Sequence, residues 1–159
     1  MLSTREYMLR LERDLMVGAG RWVADFVESF WGYRLGDVTF DLYVRGGMRP
    51  KGFALSRLVA TLTLPNYRAA CYVFAGDGEL KRLPALIKAL RRDMEQQETK
   101  WSWLVIPAEG AFSPQARASV EGNTASELGI ALVDLAAQEI VTSSSYVGRR
   151  MGRFVRCFT

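Results

Sequence analysis

The nine residues from Arg68 to Gly76, RAACYVFAG, limit the fold more than any other stretch of the chain. They are apolar almost throughout and lack the alternation of a half-exposed strand, so they read as a central strand buried on both faces. Such a strand needs a packing layer on each side of its sheet. The residues downstream supply the layers. Leu83, Ile87, Leu90 and Met94 form one apolar stripe at helical spacing over a helix from about Leu80 or Leu83 to Gln97, with Pro84 confined to its first turn. Ser113-Pro114 reads as an N-cap followed by proline at the first helical position. WSWLVIP and GIALVDLA are two further apolar strands, and QEIVTSS continues or pairs with the second. Strand and helix alternate from Ala69 onward, which implies parallel crossovers.

The first third reads differently. Ser3-Thr4-Arg5-Glu6 has the form of a capping box, so a helix starts near Thr4 and carries Met8, Leu11 and Leu15 inward. Trp22, Phe26 and Phe30, with Val23 and Val27, extend helical spacing beyond a break expected at Gly18 and Gly20. Val38, Phe40, Leu42 and Val44 alternate with Thr39, Asp41, Tyr43 and Arg45, the period of a strand. RGGMRPKG then reads as a turn into a second strand carrying Leu58, Ala60, Leu62 and Leu64, and this hairpin implies an antiparallel edge. The expected fold is a single α/β domain over residues 1–159, a mixed sheet flanked by helices in the order α-β-β-β-α-β-α-β-tail.

Composition removes whole classes of function. The 159 residues, 49% hydrophobic and 24% charged, suit a globular domain. No apolar run approaches the roughly 20 residues of a membrane span, and the charged N-terminus lacks a signal-peptide core, so a cytoplasmic protein is expected. The chain has no histidine. Histidine-dependent triads and His-ligated zinc are therefore impossible, and chemistry would have to come from carboxylates, Lys, Arg, Ser or Tyr. Cys71 and Cys157 match no metal-ligand spacing. Few Asn and Cys residues fit a thermophile.

Charge is unevenly placed around a net +4. Between Leu42 and Ala60 every charged residue is basic, the charged residues of 108–140 are nearly all acidic, and the end of the chain is basic again. This asymmetry permits a DNA, RNA or acidic protein partner. In the final segment, 147–159, Met151, Phe154, Val155 and Phe158 fall at i, i+3, i+4 and i+7 with Arg149, Arg153 and Arg156 on the other side. That spacing predicts a basic amphipathic helix, docked on the core or free to meet a nucleic acid, partner or membrane surface.

The order of elements, with the closing LVIP…helix…GIALVDL unit, resembles the restriction-endonuclease-like superfamily, known as PD-(D/E)xK and including Holliday-junction-resolvase-like members. The resemblance implies a leading helix, a hairpin with an Asp on one strand, Glu-x-Lys on the next strand and a basic helix after it. In the family the carboxylates hold Mg²⁺, which activates water and stabilises the phosphate. Carried onto this chain, Asp41 in VTFDLYV matches the Asp, on the face opposite Val38, Phe40, Leu42 and Val44. Phe74, Ala75 and Gly76 occupy the places of Glu-x-Lys, so the catalytic signature is degenerate. A displaced Glu79-Leu80-Lys81 follows a Gly-Asp-Gly turn, where Glu79 would also complement the dipole of the next helix and Asp77 is ordinary turn chemistry. Glu12 is the candidate for a leading-helix carboxylate.

Three functional expectations follow. The first is a non-catalytic nuclease-like domain for nucleic-acid binding or assembly, contacting phosphates through Arg45, Arg49, Lys51, Lys81, Arg82, Arg149, Arg150, Arg153 and Arg156, with no cofactor. The second is an active Mg²⁺-dependent nuclease using Asp41, Glu79 and Lys81, with Asp41 and Glu79 on the metal. The third is a protein-interaction or homodimerising subunit, with Trp31, Trp101 and Trp103 available to such a surface.

Overall fold

The computed structural model describes residues 1–18, 24–47 and 68–159. Among them the elements run α1 (Thr4–Met16), β1 (Asp25–Leu35), β2 (Val38–Gly47), β3 (Arg68–Val73), α2 (Leu83–Gln96), β4 (Thr99–Ala108), α3 (Pro114–Glu121), β5 (Leu128–Asp134), β6 (Glu139–Thr142) and α4 (Tyr146–Met151). The six strands form one mixed sheet in the order β1-β2-β3-β4-β5-β6. β1–β2, β2–β3 and β5–β6 pair antiparallel, whereas β3–β4 and β4–β5 pair parallel across the helices α2 and α3.

β3 lies inside the sheet and its apolar run serves both faces. Ala69, Cys71 and Val73 join one core with Tyr7, Leu11 and Leu15 of α1, Trp103 and Val105 of β4, and Met151 and Val155. Ala70 and Tyr72 join the other, with Leu83, Leu86, Leu90 and Met94 of α2 and Ala116 and Val120 of α3. Both faces of the interior strands are thus sealed, as the absence of alternation requires. Ser3 caps α1 by accepting the Glu6 N–H at 3.3 Å, while the Glu6 carboxylate accepts the Ser3 N–H at 3.0 Å. Ser113 caps α3 in the same way through the Ala116 N–H.

The structure corrects the first third of the sequence reading. Residues 25–35, expected to continue a helix, form β1, so Phe26, Val27 and Phe30 are strand residues. β1 and β2 form a hairpin closed by Gly36-Asp37, with Leu35 opposite Val38; of the expected turn RGGMRPKG, Arg45, Gly46 and Gly47 belong to β2 and residues 48–52 lie outside the described residues. Gly36 holds φ at +61°, the left-handed value that a two-residue hairpin loop asks of its first residue. The proposed strand at Leu58–Leu64, together with Trp22, Val23 and Gly20, lies outside the described residues.

A second correction concerns strand phase. Val38 and Phe40 belong to the α2 side of the sheet, but Leu42 and Val44 belong to the α1 side, while Tyr43 shares the side of Phe40. The pleat therefore changes phase at Asp41. Across the hairpin, between the pairs Trp31–Leu42 and Tyr33–Phe40, sits Gly32 at φ +67°. Phe30 and Tyr33, three residues apart, consequently meet on one side, and both stack with Tyr43. Strict alternation through Asp41 does not hold.

α4 lies against β5 because two glycines allow it. A Cβ on Gly129 would fall 2.8 Å from Met151 Sδ, and one on Gly148 would fall 2.1 Å from Ser143 Oγ and 2.5 Å from the Ser143 carbonyl oxygen. The Ser143 contact is partly backbone and cannot give way without moving β6's exit. Gly148→Ala is expected to cost about 1–3 kcal/mol by overpacking, read as a lower urea midpoint. An unchanged midpoint would mean that α4 is not seated in this position.

Candidate functional site

Asp41 stands just beyond the last β2–β3 pair, Leu42–Val73. Its side chain accepts the Ala75 N–H at 2.8 Å. On the opposite edge the chain after Val73 keeps its ladder with β4, the Phe74 N–H donating to the Val105 carbonyl at 3.0 Å and the Gly76 N–H to that of Pro107 at 2.9 Å. The aspartate thus takes over from the β2 backbone as hydrogen-bond acceptor where β2 leaves β3. The side chains at the end of β3, beside Asp41, differ from the expected Glu-x-Lys in shape as well as in charge. Phe74 packs edge-on against Phe40, with ring centroids 6.4 Å apart, under the Arg82 guanidinium at 5.7 Å. At Gly76 a Cβ would lie 2.5 Å from Ile106 Cγ2, so a lysine does not fit unless Ile106 retreats.

The displaced Glu79-Leu80-Lys81 belongs to the turn that starts α2. Asp77 Oδ1 accepts the N–H groups of Glu79 at 3.2 Å and Leu80 at 3.3 Å. These backbone hydrogen bonds, that of Glu79 first, hold the Asp77 carboxyl below its ordinary pKa. Glu79 pairs with Lys81 at 3.1 Å, both exposed, which makes a solvent-screened pair of little energetic weight. The regular helix begins at Leu83, with Pro84 in its first turn. Glu12 accepts hydrogen bonds from Ser29 Oγ and, at 3.3 Å, from Trp31 Nε1. Among the described residues no group of three Asp, Glu or Cys side chains is placed to hold a metal ion.

The basic residues divide into separate groups. Arg45 pairs with Glu28 at 2.6 Å, donates to Gln97 at 3.3 Å and lies 5.3 Å from the Phe30 ring, so its charge is already matched within the fold. Arg82 donates to the Asp37 carbonyl at 3.3 Å besides covering Phe74. Arg49 and Lys51 lie outside the described residues. Lys81 and Arg82 precede α2 on one side of the sheet, whereas α4 and the segment after it pack on the other. The structure therefore does not gather all the expected phosphate contacts into one patch.

The C-terminal segment departs from the expected helix over 147–159. α4 ends at Met151, and residues 152–159 follow without further helix. Met151, Val155 and Cys157 are buried, and Phe154 and Phe158 pack against the same core. The segment is tied to α1: Tyr7 Oη donates to the Val155 carbonyl at 2.7 Å, and Arg10 Nη1 donates to that of Phe158 at 2.7 Å. Its apolar side chains are docked and its arginines are left outside. Arg149, Arg150, Arg153 and Arg156 are exposed, and among the described residues none of them is in an ion pair. Of the tryptophans, Trp103 is buried, Trp101 packs against the core and Trp31 is exposed.

Sequence reasoning passed over a polar centre inside the sheet–α2 layer. Asp93 of α2 is buried and accepts from Tyr72 Oη at 2.6 Å and from Tyr33 Oη at 3.0 and 3.1 Å. The signal was present: position 93 falls on the apolar stripe of Leu86 and Leu90, where a carboxylate needs partners. Burial, then the hydrogen bond to Asp93, raises the Tyr72 pKa well above that of a free tyrosine. Outside this centre, α2 and α3 bound an open groove of about 830 Å³ with Lys81 just before α2, Lys88, Arg91 and Arg92 along it, and Gln115 and Ser119 along α3. No helix among the described residues is long and apolar enough to cross a membrane. Compared with protein-family models, curated proteins and solved structures, the chain matches none.

Proposed function

We propose that this chain is a restriction-endonuclease-like domain that has lost its catalytic signature and serves in nucleic-acid binding or assembly. One observation carries the reading. Asp41 stands beside the end of β3, as the Asp of that superfamily would, yet its carboxylate binds the Ala75 N–H between Phe74 and a glycine with no room for a side chain. The order and direction of the elements are in keeping with it: a helix, an antiparallel hairpin, a third antiparallel strand, then a helical crossover to a parallel strand. The nuclease reading is disfavoured because Glu79 sits in the turn before α2 and Asp77 is engaged there by backbone amides.

The test is incubation with branched, single-stranded and duplex substrates in Mg²⁺ or Mn²⁺, paired with a binding titration over a range of salt. The expected outcome is binding that weakens steeply with salt, through counterion release, and no cleavage. Cleavage abolished by Asp41→Asn or Glu79→Gln would make the chain a metal-dependent nuclease instead. Failure to bind any nucleic acid at low salt, with a stable dimer in solution, would favour the interaction-subunit reading, for which the edge strand β1 exposes Val27, Phe30 and Trp31.

A further inference from the structure

The exposed side of α4 and the segment after it repeats one contact three times. The Arg150 guanidinium lies 4.5 Å from the centroid of Tyr146, that of Arg153 4.7 Å from Phe154, and that of Arg156 5.9 Å from Phe158. Phe154 itself stacks on the buried Trp103, with centroids 5.9 Å apart and 23° between the planes. Arg153 therefore caps a column that starts in the core. Tyr146 is 61% exposed. A guanidinium held over a ring is a cation with a flat, pre-oriented face, and it has already lost part of the rotamer freedom that binding would otherwise remove.

We infer that this face binds single-stranded nucleic acid, with Tyr146 and the guanidinium planes of Arg150, Arg153 and Arg156 as base-stacking positions and Arg149 as a phosphate contact. The inference rests on the nucleic-acid reading above and narrows it to one surface and one class of ligand. Four exposed arginines with no ion pair among the described residues attract a polyanion, but charge alone would serve a duplex equally. The stacking surfaces make the difference, because only unpaired bases can lay a face on them. A membrane surface fits less well, since Met151, Phe154, Val155 and Phe158 are turned into the core and have no apolar side chain to offer lipid.

The test uses the full chain and fluorescence anisotropy with labelled oligo(dT) or oligo(U) of about 20 nucleotides and a duplex of equal length, at about 50 and 200 mM salt. Single strands are expected to bind more tightly than the duplex. Tyr146→Ala is expected to weaken single-strand binding about tenfold and leave duplex binding unchanged. Arg150→Lys, Arg153→Lys and Arg156→Lys combined keep the charge and lose the planes, so the salt dependence should persist while single-strand affinity falls. Circular dichroism on each variant separates these effects from unfolding. Equal affinity for duplex and single strand, no effect of Tyr146→Ala, or binding to anionic vesicles with no preference for single strands would overturn this inference alone. No binding to any nucleic acid at low salt would overturn the broader reading with it.

Discussion

Raising the pH beyond about 9 is expected to destabilise the protein ever more steeply and to unfold it near pH 11. Cys71, Cys157, Tyr7, Tyr43 and Tyr72 are all buried. Burial is the first cause that pushes each of their pKa values up, and it takes Cys157 to about 12, helped by its hydrogen bond to Asp14. The folded state keeps these protons while the unfolded chain releases them, at about pH 8.5 for a cysteine and 10 for a tyrosine. Their contribution is thus fully present below those values and is lost as pH rises, by about 1.4 kcal/mol per group for each unit beyond the unfolded pKa. At about pH 11 the two thiols would account for about 3 kcal/mol each, about 6 together, and the phenols would add to the loss. That is comparable with the whole stability of a typical domain. Urea midpoints followed by circular dichroism from neutral pH upward should hold level and then fall ever more steeply. A midpoint that stays flat through about pH 10.5 would mean that these groups ionise inside the fold.

Asp93→Ala is expected to lower stability by about 2–3 kcal/mol, because it strands the buried hydroxyl of Tyr72 and removes the partner of the partly buried Tyr33. The Tyr72 hydrogen bond is short, at 2.6 Å, and buried, so water cannot readily replace the lost acceptor. Asp93→Asn keeps an acceptor and should cost about 1 kcal/mol. Combining Asp93→Ala with Tyr72→Phe should recover part of the loss, since the second change removes the stranded donor. A double-mutant cycle in which the two changes simply add would show that the carboxylate and the phenol do not act together.

Where one local rule dictated the outcome, the sequence was readable. The capping box, Ser113-Pro114 and Pro84 each marked a helix start, and RAACYVFAG marked the interior strand. β1 was misread for a physical reason. Phe26 and Phe30 are four apart, a spacing compatible with both the helical period and twice the strand period, so they could not tell the two apart. What decided the matter was a tertiary partner, β2, reached through a turn that only two residues make. Asp41 was legible as a lone strand carboxylate, but its engagement by the Ala75 amide depends on β2 leaving the ladder at Leu42, a fact of register. Asp93 failed for the opposite reason: its position on the stripe was visible, while the tyrosines that make a buried carboxylate tolerable come from two strands far off in the chain.

The hydrogen bonds that tie α1 to residues Val155 and Phe158 span 148 positions. During translation, at roughly 5–20 residues per second, the first helix leaves the ribosome many seconds before the residues that finish its packing. β1, β2 and β4 cover part of its apolar face in the interval, but Tyr7 waits for Val155 to receive its proton. α1, made long before these partners, is among the last elements to be completed, so a nascent chain stalled before Val155 would hold an assembled sheet beneath an unfinished outer layer, the form in which chaperones and proteases would meet it.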